Sequence, residues 1–112
     1  MNPLEVVEHH IRAFNTHDIE AFLATCHPDI EARWVKTGVV RQGHTELREY
    51  FTKQFELDPV LQIEIDHQFM TGAVVVVSEK VMASSDASLI GNKVVVVNEV
   101  EDTVVRRWWT IT

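Results

Sequence analysis

The stretch VVEHHIRAFNTHDIEAFLATCHPDIEARW, residues 6–34, decides how the whole chain is read. It divides into a helix, a tight turn, a second helix and a first strand. Leu4, Val7, Ile11 and Phe14 recur at three- and four-residue spacing, and Val6, His10 and Ala13 widen the stripe, so one face of the first helix has to be covered. The opposite face carries Glu5, Glu8, His9, Arg12 and Asn15, with Glu5 and His9, and Glu8 and Arg12, spaced as exposed helix pairs. The adjacent histidines therefore part: His9 goes to solvent and His10 with the apolar set. Residues 15–18 are turn chemistry, and Asp18 is a good N-cap for a helix burying Ile19, Phe22 and Leu23. His27, Pro28 and Asp29 end that helix and lead into a strand.

From residue 30 onward the chain reads as sheet and one more helix. Ile30, Ala32 and Trp34 alternate with Glu31 and Arg33, the period of a half-buried strand. Gly38 and Gly43 bracket a loop, and from His44 a third helix turns Leu47, Tyr50, Phe51 and Phe55 inward until Asp58 and Pro59 stop it. Leu61, Ile63, Ile65, His67 and Phe69 alternate strictly with polar residues, which places His67 on the buried side of the second strand. Thr71, Gly72 and Ala73 turn into residues 74–82. A two-residue turn puts Val76, Ser78, Lys80 and Met82 on the face of His67, whereas a three-residue turn brings Glu79 inside; Lys80 is favoured. After a polar loop at 84–91 come strands at 92–100 and 104–112. The four-valine runs at 74–77 and 94–97 are apolar on both faces. Val75, Val77, Val95, Val97 and Trp108 are accordingly expected on an outer sheet face covered by a second copy of the chain.

Composition sets outer bounds. With 112 residues, 46% of them apolar, the chain suits one domain over residues 1–112 with a single core. Ten basic against seventeen acidic residues give a formal charge of −7, which repels a phosphate backbone, so no nucleic-acid partner is expected. No apolar run is long enough for a membrane span and no leader pattern opens the chain, so a cytoplasmic location is expected. The lone Cys26 excludes an internal disulfide and a thiolate cluster; it reads as a small buried filler.

The order helix, helix, strand, helix, then four strands, with AFNTHDIEAFLATCHPDIEARW, RQGHTELREYF and a closing VEDTVVRRWW, resembles the nuclear transport factor 2-like superfamily, SnoaL-like and ketosteroid-isomerase-like branch. The resemblance implies an α+β fold in which a curved antiparallel sheet wraps as a cone around three helices, with an apolar pocket inside and a homodimer across the outside. It does not carry over the isomerase's chemistry. His10 stands where those enzymes have a tyrosine on the first helix, Trp34 where they have the general-base aspartate, and residues 94–97, with Asn98 the nearest polar side chain, where they have the second acid. No inward aspartate matches the epoxide hydrolases of this fold either.

A dehydratase branch of the superfamily does use histidines, which titrate near neutrality. His10 and His67 are therefore the acid–base candidates, although the commoner role for either is a core histidine satisfied by one hydrogen bond. Lys80, Asn98 and Arg107 are the polar anchors, with Trp34, Phe51, Val96 and Trp109 as walls; Arg107 and Trp109 share the face that the resemblance turns to the cavity. No metal or organic cofactor is expected, since two histidines with Glu79 or Asn98 make a poor ligand set. The expected function is a small-molecule-pocket protein acting on a compact apolar molecule, as an isomerase, dehydratase, cyclase or hydrolase but not a ketosteroid isomerase. The alternative is a non-catalytic module binding a ligand or a partner chain.

Overall fold

A computed structural model describes residues 1–112. Helix α1 (Pro3–Asn15) starts from an Asn2 cap reciprocated by Glu5, a capping box that satisfies donors at its first turn from both directions. Helix α2 (Ile19–Leu23) starts from Asp18, whose carboxylate accepts from the backbone N–H groups of Glu20 and Ala21. Strand β1 (Cys26–Trp34) and a short β2 (Val39–Gln42) precede helix α3 (Gly43–Leu57). Then come β3 (Gln62–Thr71), β4 (Val74–Ala83), β5 (Lys93–Glu101) and β6 (Val104–Thr110). The segment read from sequence as a loop between two glycines thus contains a strand, which pairs antiparallel with β1 from Glu31 to Trp34.

The six strands form one curved sheet in the order β2-β1-β6-β5-β4-β3. All neighbours are antiparallel except β1 and β6, which run parallel. The sheet is therefore mixed, whereas the family resemblance implies an antiparallel one. The helices fill its concave side, where Val7, Phe22, Leu23, Ile30, Leu47 and Val75 are almost fully buried. Asn15 ties α1 to the sheet edge by imitating a strand neighbour. Its amide donates to the Ile63 carbonyl at 2.7 Å and accepts from the Ile63 N–H at 3.0 Å.

Two irregularities decide which residues reach the interior. In β3, Ile65 faces Glu79 and His67 faces Ser78, so Asp66 is an extra residue and the alternation reverses after it. In β6, Val100 faces Val105 but Glu99 faces Arg107, so Arg106 is the extra residue there. Each bulge moves every later side chain of its strand to the opposite face from the one that strict alternation gives.

Candidate functional site

Between the helices and the concave face lies a partly open cavity of about 290 Å³, lined mainly by apolar and aromatic side chains. Trp34 and Trp108 meet Phe51 there, with ring centroids 6.4 and 6.1 Å from it, and Phe22 packs 5.1 Å from Phe51. Over Tyr50, which lines the same cavity, the Arg41 guanidinium lies 3.8 Å from the ring centroid, and it is 4.8 Å from the Trp34 ring.

Of the residues singled out from sequence, His10, Trp34, Phe51, Val96 and Asn98 line this cavity. Four others do not. His67 is on the convex face with its side chain 85% accessible, beside Asp66, because the Asp66 bulge turned it out. The β3–β4 turn has two residues, and Lys80 does share a face with His67, Val76 and Ser78, but that face is the outer one. Arg107 lies on the same convex side, paired with Glu99 at 3.1 Å, and Trp109 stands next along that face of β6. The Arg106 bulge puts both on the face opposite to that of the buried Val105, whereas strict alternation would keep all three on one face.

The same inversion brings in two residues. Trp108, expected at an outer interface, is buried in the core, and Val75 and Val77 are buried with it; of the proposed interface set only Val95 and Val97 face outward. Glu79 enters the cavity in place of Lys80. It makes no ion pair, and burial pushes its carboxyl pKa up to about 7, so it exchanges a proton in the neutral range. The hairpin keeps the two-residue register; Glu79 is inside because the Asp66 bulge turns the face of His67, Ser78 and Lys80 outward, and that bulge has no glycine or proline to mark it.

His10 is held at the floor between Phe22 and Trp108, whose ring centroids are 4.9 and 5.5 Å away. Its Nδ1 lies 2.7 Å from Thr25 Oγ1. Desolvation, with a smaller contribution from His9, lowers its pKa to about 3, so the ring is neutral at physiological pH. Such a ring is a hydrogen-bonding group rather than an effective base. Asn98 is almost fully buried and its side-chain Nδ2 has no hydrogen-bond partner. Cys26 is buried 4.0 Å from His10, and desolvation pushes its thiol up to about 12, which leaves no reactive thiolate. Nowhere in the chain do three His, Cys, Asp or Glu side chains gather as a metal set. No helix is long and apolar enough to cross a membrane.

Residues 7–108 match the SnoaL-like domain family, and the chain belongs to it. No curated protein matches it in sequence. Among solved structures it is similar to an uncharacterised cystatin-fold protein from Novosphingobium aromaticivorans, at 25% identity and TM-score 0.81, over 100% of this chain and 99% of that one. It is also similar to a proposed polyketide cyclase from Sinorhizobium meliloti, at 16% identity and TM-score 0.80, over 95% of this chain and 93% of that one. A third, a proposed polyketide cyclase from Streptomyces antibioticus, shares 16% identity at TM-score 0.80, over 99% and 91% of the two chains. At 16% identity the two cyclases speak for the fold alone.

Proposed function

We propose that this SnoaL-like protein takes a compact, largely apolar molecule into the cavity and carries out an acid–base conversion on it, with Glu79 as the proton-transfer group. The observation that carries the reading is an unpaired carboxyl lining an aromatic-walled cavity, with its pKa shifted into the neutral range. An isomerisation, dehydration or ring closure needs such a group to take a proton from carbon and return one elsewhere. The histidine pair expected from sequence is set aside, because His67 lies outside the cavity.

That loss favours a second reading, in which the cavity binds without reacting. The two separate in a deuterium-exchange experiment with 2-tetralone as probe. Acceleration of its α-proton exchange by the wild-type protein, reduced about 10²-fold or more in Glu79→Gln, is the expected outcome. Binding of tetralone with no acceleration favours the non-catalytic binder. Acceleration undiminished in Glu79→Gln removes the role from Glu79.

The partner proposal becomes a homodimer through the convex face with a corrected set of residues. Phe69, Val76, Val97 and Trp109 stand opposite one another across four adjacent strands, and Phe69 is 60% accessible. Glu31, Arg33, Glu99 and Arg107 frame that row with both signs of charge, which suits pairing with a second copy about a two-fold axis.

A further inference from the structure

We infer that the cavity floor is built to receive a hydroxyl of phenol or enol type, which donates to His10 Nε2 and accepts from the Asn98 amide. The assignment rests on the cavity reading above and adds to it the polar end of the ligand.

The tautomer of His10 is set by its neighbour. Thr25 Oγ1 has one hydrogen, and it is directed to the Phe22 carbonyl at 2.6 Å. Towards His10 the hydroxyl therefore accepts, so Nδ1 bears the ring proton and Nε2 holds a lone pair. Nε2 has no partner within the protein, and the ring lines the cavity. Asn98 is the complement. Its Nδ2 is buried with no hydrogen-bond partner, which costs about 1–3 kcal/mol, and a turn of the last torsion, which no hydrogen bond opposes, brings Nδ2–H to the cavity that the residue lines. Trp108 joins the two: its ring packs against His10, and it stands opposite Asn98 across β5 and β6.

A lone acceptor and a lone donor lining one cavity on either side of Trp108 are matched by a group that is both. A hydroxyl is the smallest such group a ligand can carry, and the aromatic floor of Trp108 and Phe22 suits one borne on a flat sp² skeleton. The register also orients the ligand. Asn98 faces Val75 and Glu79 faces Val94, four residues apart along β4, or about 13 Å of strand. A ligand with its hydroxyl on the floor thus extends toward Glu79 with its far end.

The test is an NMR shift titration of the wild-type protein with 2-naphthol, 2-methoxynaphthalene and naphthalene. These share a skeleton and offer a donor with an acceptor, an acceptor alone, and neither. The expected result is 2-naphthol bound at least about tenfold more tightly than either of the others, with the preference abolished in Asn98→Leu and in His10→Phe. Equal affinity for all three in the wild type overturns the hydroxyl site while leaving the cavity reading intact. A preference that survives Asn98→Leu also overturns it. Binding of none of the three contradicts the cavity reading and this assignment together. The wild-type series decides without either variant should one fail to fold.

Discussion

Thr25 Oγ1 stands 2.7 Å from His10 Nδ1 and 2.6 Å from the Phe22 carbonyl, so a single hydroxyl both closes the turn after α2 and sets which ring nitrogen of the cavity's histidine bears the proton. Both residues are buried. The relationship links local structure to site chemistry: from its place just after α2, residue 25 reaches back three residues with its hydroxyl, and that same hydroxyl orients the imidazole.

Thr25→Val keeps the volume and removes the hydroxyl. The Nδ1–H of His10 is then buried without an acceptor, and a loss of about 1–3 kcal/mol in chemical denaturation is expected. A variant as stable as the wild type would show that His10 finds another acceptor.

Glu79 and His10 affect folding in opposite senses as pH changes. Glu79 titrates at about 7 folded against 4.5 as its ordinary value, so the stability it contributes below pH 4.5 is lost as pH rises through 7. His10 titrates at about 3 against 6.5, so its contribution is present above 6.5 and is lost as pH falls toward 3. Between about 4.5 and 6.5 the folded state holds an extra proton on Glu79 and the unfolded state one on His10, and the two slopes largely cancel. Single variants uncover them. Relative to wild type, Glu79→Gln should gain up to about 3 kcal/mol as pH rises from 4 to 8, and His10→Gln should gain as pH falls from 7 to 3, each slope limited to about 1.4 kcal/mol per pH unit. Urea denaturation at a series of pH values measures both. A pH-independent difference for Glu79→Gln would mean its carboxyl is solvated.

Trp109→Glu places a charge in the middle of the apolar row on the convex face. Sedimentation at micromolar concentration should show a wild-type dimer and a variant shifted to monomer, with binding of a cavity probe unaffected. A wild-type monomer would contradict the interface.

Much of the fold was legible because it rests on periodicity in long elements. The α1 stripe placed His10 inside, and the resemblance pointed to Asn98 as the polar side chain of the penultimate strand. What alternation could not supply was its own interruptions. Asp66 and Arg106 look like ordinary outward strand residues, yet each is a bulge, and each reverses the faces of the residues after it. Hence His67 was exchanged for Glu79 as the candidate for proton transfer, and Trp109 for Trp108 as the aromatic wall. Strand β2 was missed because it has four residues between glycines that also suit a loop.

The central claim is that Glu79 is a proton-exchanging carboxyl in an apolar cavity, and a pH titration of its side-chain carboxyl carbon by NMR, with the signal identified by its absence in Glu79→Gln, tests it most directly. The expected midpoint is about 7, moving higher when naphthalene fills the cavity and displaces water from the carboxyl. A midpoint near the ordinary 4.5, unmoved by the probe, would contradict it.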